Sequence, residues 1–198
     1  TLLSGAVPGP GVDARAERTV FLALVGLSVR LGPTVAIGAS LPGVVFATAV
    51  VPTLWAAGRR ALGDRGALLP AALFAVLGLD LEETREVSAD AIIALPCLVA
   101  LALVLRGSVA TTRRRTAHHV VAGLCLGLAL ALKETAVFAT AGVVAAAAAT
   151  GERGGAARVR RALAVAVPAA AGALLAVALT PPDRGARVAP HLHAAPPP

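Results

Sequence analysis

Residues 33–60 read PTVAIGASLPGVVFATAVVPTLWAAGRR, and no charge appears in the 25 residues from 33 to 57. At about 1.5 Å rise per residue, about 20 apolar residues cross the roughly 30 Å hydrocarbon core of a bilayer. Trp55 lies near the end of the run and Arg59-Arg60 follow it, the order of an interfacial anchor and a basic stop. Working outward, stretches 67–79, 91–105, 120–132, 135–150 and 162–179 are also free of charge. The stretch 67–79 is short and extends back toward Ala61 if Asp64 and Arg65 reach to the interface. An earlier stretch, 19–29, is too short to span and reads as interfacial or re-entrant. The pattern predicts an all-α polytopic transmembrane bundle of about five to six spans.

Composition agrees. Of 198 residues, 57% are hydrophobic and 15% charged, with a mean hydropathy of +0.80; soluble domains carry about 25% charged residues. An ordinary soluble domain, a disordered tail and a disulfide-rich module are therefore excluded. The net charge of +7 comes with few aromatics and no basic amphipathic surface, so nucleic acid is not an expected partner. Membrane lipids are.

The charge is clustered between the apolar runs. Loops 58–66, 106–119 and 151–161 are Arg-rich, whereas 80–90 carries Asp80, Glu82, Glu83, Glu86 and Asp90 against Arg85. The positive-inside rule puts the three basic loops in the cytoplasm and 80–90 and 133–134 outside. Residues 1–18 read as an outer-face or truncated loop segment, 19–179 as the transmembrane domain, and 180–198 as a Pro-rich disordered tail. The chain has no Met and opens at Thr1 without a signal-peptide pattern, which reads as a piece of a longer product.

Two places can carry chemistry. EETREVSAD at 82–90 is either a solvated acidic loop or an outer-face site in which Arg85 binds an anion while Glu86 or Asp90 orients an acceptor. If Asp90 opens the next helix, its carboxylate is favourable there without any function. Lys133-Glu134 interrupts the apolar run from 120 to 150, and Lys133 is the single Lys among 18 basic residues. It reads as a tight turn with a snorkelling ammonium, or as a site needing a compact cation. His118-His119 lies in a basic loop and its adjacent rings do not converge on one helix face. His191 and His193 lie in the tail, and Cys97 and Cys125 read as apolar fillers within spans. Gly123-x-x-x-Gly127 and the small residues at 169–173 read as helix-packing signals.

The order of these features resembles the GT-C glycosyltransferases that use polyprenyl-phosphate sugars, including protein O-mannosyltransferases and aminoarabinose transferases. Three stretches carry the resemblance: Arg30-Leu-Gly-Pro-Thr through to Gly58-Arg59-Arg60; Leu69-Pro-Ala-Ala-Leu with Thr84-Arg85-Glu86-Val-Ser-Ala-Asp90; and Ala122 to Lys133-Glu134-Thr135. It implies transfer of a sugar from a polyprenyl-phosphate donor to a hydroxyl of a glycan, lipid or protein acceptor on the outer face. Arg85 and Lys133 would bind the donor phosphate, and Glu86, Asp90 and Glu134 would orient the acceptor or the site. The family's catalytic carboxylate follows its first helix, so the base is expected upstream of Thr1. Leu132 stands where relatives have Thr before the Lys, and the Tyr they place after the loop Arg is absent. The chain offers no metal-ligand cluster, and a divalent cation is neither required nor excluded by it. The alternatives are a transporter or permease fragment, which would hold charges at the midplane on broken helices, and a non-catalytic membrane remnant.

Overall fold

The computed structural model describes residues 15–76, 89–133, 135–150 and 154–179. Among these residues every element is helical: α1 (Arg15–Leu31), α2 (Val35–Val76), α3 (Asp90–Gly107), α4 (Thr112–Leu132), α5 (Ala136–Ala149) and α6 (Gly155–Leu179). By length and composition three stretches suffice to cross a membrane: Val35–Arg59, Thr112–Leu132 and Gly155–Leu179. The apolar helices Val20–Leu31, Ile92–Gly107 and Ala136–Ala149 are shorter. The result is an all-helical bundle of the membrane type. Large apolar side chains such as Leu69, Phe138, Leu174 and Leu179 stand on its outside, as a lipid medium allows and water does not.

Gly32 and Pro33 follow α1, and the Thr34 hydroxyl caps α2 by accepting from the backbone N–H of Ile37 at 3.2 Å. Buried Ser28 locks the resulting hairpin, its hydroxyl 2.6 Å from the Gly38 carbonyl. α2 is not straight. Gly63 has φ 73° and ψ 170°, a conformation that glycine alone adopts at little cost. Beyond it the chain doubles back, because a Cβ on Gly58 would lie 3.3 Å from that of Ala67. A continuous helix would hold those residues about 13 Å apart. Trp55 closes the bend by donating from Nε1 to the Asp64 carbonyl (3.3 Å), and Arg59 lies over its ring at 5.1 Å. The expected loop 58–66 is thus largely helical, with its break confined to Gly63.

α4 is the hub. It is the most buried of the three long apolar stretches, and it packs against α1, α3, α5 and α6. Its core partners are Ala100 and Val104 of α3, Val143 and Ala147 of α5, and Val165 and Ala169 of α6, around Ala122 and Leu126. Cys97 and Cys125 pack against this cluster. The contact with α6 is close because glycines stand on its seam. A Cβ on Gly123 would collide with the Val165 carbonyl oxygen, and one on Gly127 would lie 3.0 Å from the Cα of Gly172. The paired residues advance together along both helices, so α4 and α6 run parallel.

Two further expectations change. The basic runs of 106–119 and 151–161 were expected in loops, but α4 begins at Thr112 and α6 at Gly155, so most of their arginines are helical. Two of them terminate neighbouring helices. Arg115 donates from Nε to the Gly107 carbonyl (3.1 Å) and from Nη2 to that of Ala110 (3.3 Å), at the end of α3. Arg161, only 6% exposed, donates from Nε to the Ala147 carbonyl (3.2 Å) and from Nη2 to that of Ala148 (3.4 Å), at the end of α5. Each places a cation where a helix C-terminus carries partial negative charge.

The glycine seam yields a sharp contrast. Gly123→Ala is expected to destabilise the folded chain in detergent by about 1–3 kcal/mol through overpacking. Gly142→Ala, where nothing lies within 4 Å, is expected to be neutral or slightly stabilising; thermal unfolding followed by circular dichroism reads both. In the same assay Arg161→Ala is expected to cost about 2–3 kcal/mol by stripping buried carbonyls of a charged donor, and Arg161→Lys to recover part of it.

Candidate functional site

The bundle has two chemically different ends. At one, Phe21 of α1, Ile92 of α3 and Leu132 of α4 form a second apolar cluster, flanked by Val25, Phe46 and Ile93. Lys133 follows Leu132 directly and ends α4, with an extended backbone (φ −160°, ψ 136°) and its N–H bonded to the Ala129 carbonyl at 3.0 Å. The Ala136 N–H donates back to the Lys133 carbonyl (3.2 Å), which closes a tight turn into α5. Asp90 opens α3 two residues before Ile92. The structure therefore brings two of the sequence candidates, Lys133 and the backbone of Asp90, to one end of the bundle through the Leu132–Ile92 contact. Lys133 itself is half-buried. Arg85, Glu86 and Glu134 lie outside the described residues.

The other end gathers what the sequence reading set aside as loop charge. The last turn of α3 carries Arg106, the first turns of α4 carry Arg113, Arg114 and Arg115, and those of α6 carry Arg158, Arg160 and Arg161. No acidic residue occurs in either α4 or α6; Glu152 lies outside the described residues. Between the two helices is a small open cavity of about 90 Å³ whose walls include Thr112, Arg115, Thr116, His119, Arg160 and Arg161.

The helix register explains the convergence. Thr112, Thr116 and His119 recur at four- and three-residue spacing and so share one side of α4. The parallel seam sets the second turn of α6 beside them. His119 is 1% exposed, and its Nε2 is packed so closely that a Cβ on Gly107 would lie 3.2 Å away. Among the described residues, the buried side-chain nitrogens and oxygens without a hydrogen-bond partner are Arg106 Nε, His118 Nδ1 and His119 Nε2. All three are at this end. Sequence reasoning missed the cavity because α4 and α6 are brought together only by tertiary packing. A local signal did exist, since clustered arginines in the first turns of two helices oppose the helix dipole.

The family model for dolichyl-phosphate-mannose-protein mannosyltransferases matches residues 19–182, which includes all six helices from the first apolar turn of α1 onward. Searches of curated proteins and of solved structures gave no match. The apolar helices and the family together make this a membrane protein of the GT-C glycosyltransferase type. By that match, which covers most of its length, the chain belongs to the dolichyl-phosphate-mannose-protein mannosyltransferase family.

Proposed function

We propose that this chain spans the membrane several times and forms the helical region of an enzyme that transfers a sugar from a polyprenyl-phosphate donor to an acceptor hydroxyl. Family membership carries this reading. It is supported by the position of Lys133 at the end of α4, beside the start of α3 at Asp90. In such a transfer the bond from the sugar's anomeric carbon to the phosphate oxygen breaks as the acceptor oxygen attacks, so negative charge grows on the departing phosphate. Arg85 and Lys133 would stabilise that charge by charge-assisted hydrogen bonds. Glu86, Asp90 and Glu134 would orient the acceptor or the two cations. The acceptor proton goes to a carboxylate acting as general base, a role given to no residue of this chain.

In this reading the end bearing Lys133 faces the outside, and the arginine-rich end faces the cytoplasm. The polyprenyl tail lies against the exposed apolar faces of the bundle.

The test is sugar transfer from a mannosyl polyprenyl phosphate in native membranes. Lys133→Ala and Arg85→Ala are each expected to slow it about 10²-fold, the cost of removing one donor that stabilises a transition-state anion. Lys133→Arg is expected to fall between Lys133→Ala and the unaltered protein. Full rates in both alanine variants, with normal amounts of protein in the membrane, would overturn the assignment.

A further inference from the structure

We infer that Cys97 of α3 and Cys125 of α4 form a dithiol pair that closes into a disulfide when a lipid-soluble quinone accepts its electrons, tying the two helices together inside the bundle. These are the chain's two cysteines, and both are free thiols in the structure. Closure asks nothing of the sugar-transfer chemistry.

The contacts between α3 and α4 set the two side by side. A Cβ on Gly107, at the end of α3, would lie 3.5 Å from that of His118 near the start of α4. Ile92 clusters with Leu132 at the other end, so the helices are antiparallel. On α4, His118, Ala122, Cys125, Ala129 and Leu132 recur at alternating four- and three-residue spacing and share one face, whose two ends touch α3. On α3 the same spacing joins Gly107, Val104, Ala100, Cys97 and Ile93, and Ile93 packs against the Ile92–Leu132 cluster. The two cysteines thus stand on facing stripes. Counted from either contact, Cys125 is level with Val99 or Ala100, about 3–4.5 Å along the axis from Cys97. Ala100 and Ala122 are buried beside them, and their small side chains let the helices approach. Facing Cα atoms of helices about 8–10 Å apart, each about 2.3 Å off its axis, lie about 3.5–5.5 Å from one another. With the offset in height the separation is about 5–7 Å, and a disulfide bridges about 4.4–6.8 Å. A charge on Cys125 is felt at Cys97, as this proximity requires.

Packing alone does not ask for this placement. A small apolar filler is needed separately on each helix, and Ala serves at neighbouring positions of both stripes, whereas sulfur stands at the two positions that meet. The surroundings select the product. The pair lies about 10–12 Å from the end that holds Asp90 and Lys133, against the apolar core of the bundle, where a charged thiolate–metal complex would be costly. A disulfide is uncharged. Its formation breaks two S–H bonds and makes one S–S bond, and the two electrons and two protons pass to the quinone, which leaves as the quinol. Both cysteines are half-buried and not sealed, so an oxidant dissolved in the lipid can reach them, whereas a charged one would have to enter hydrocarbon.

The full chain in non-ionic detergent is incubated with decylubiquinone, then unfolded and treated with a polyethylene-glycol maleimide, which retards the chain on a gel once for each free thiol. The untreated chain is expected to label twice and the quinone-treated chain not at all, at monomer size, with labelling restored by dithiothreitol. Closing a loop of about 28 residues is expected to raise the thermal unfolding midpoint by about 5–10 °C. Cys97→Ala and Cys125→Ala are each expected to keep one thiol free after the quinone. Leu124→Cys combined with Cys125→Ala moves the thiol to an exposed neighbouring position and is expected to leave both thiols free. Two free thiols in the quinone-treated unaltered chain would overturn the inference, as would loss of labelling through dimers between chains or in a form that dithiothreitol does not reverse. Closure of the displaced pair as fast as the native one would show chance collision between loose helices and overturn it too.

Discussion

The glycine contact between α4 and α6 is the constraint on which the rest of the bundle depends. Gly123, Gly127 and Gly172 remove the side chains that would hold two helices at ordinary spacing. In lipid there is little hydrophobic gain in bringing helices together, so close van der Waals contact between backbones must supply the attraction. Once that seam is closed in parallel, α5 must run back beside it to connect the two, and its Val143 and Ala147 complete the core. α3 then packs on the remaining side of α4, and the α1–α2 hairpin joins at the end where Leu132 meets Ile92 and Phe21.

The seam also polarises the molecule. Parallel helices put both N-terminal turns at one end, where seven of the chain's 17 arginines gather. Part of that charge has a structural use, since Arg115 ends α3 and Arg161 ends α5. These contacts satisfy carbonyls that would otherwise face hydrocarbon or a poorly hydrated interface, where an unmet backbone group is costly. The remaining charge, on Arg106, Arg113, Arg114, Arg158 and Arg160, does not cap any helix in this way. The opposite end is built differently: apolar contacts hold the α4–α5 turn beside the start of α3, and Lys133 is left at its edge. A bundle with one arginine-rich end and one lysine-bearing end has two distinct surfaces from a single packing decision.

Much of this was legible in the residues. The uncharged run from 33 to 57 with Trp55 and Arg59-Arg60 after it announced a spanning helix, and Gly123-x-x-x-Gly127 announced a close helix contact. Lys133-Glu134 announced the break between α4 and α5, because a charged pair cannot continue an apolar run through lipid. The bend at Gly63 was less visible: the surrounding sequence favours helix on both sides, and only the positive φ reveals where the chain reverses. Helix starts were misplaced for a physical reason. Arginine propagates a helix well, so Arg113–Arg115 and Arg158–Arg161 extend the apolar segments outward, whereas a charge-based reading ends each helix where its apolar run ends. The cavity was illegible because its walls come from residues about 45 apart, joined by a register that no local pattern encodes.

The central claim is the parallel register of α4 and α6, and a cross-link tests it directly. Thr112→Cys paired with Arg160→Cys, two positions on the wall of one cavity, is compared with Thr112→Cys paired with Leu179→Cys at the far end of α6, in a background lacking Cys97 and Cys125. With a short bifunctional thiol reagent, the parallel register predicts intramolecular cross-linking of the first pair and none of the second. Cross-linking of the second pair alone would mean that α6 runs antiparallel to α4 and would contradict the account.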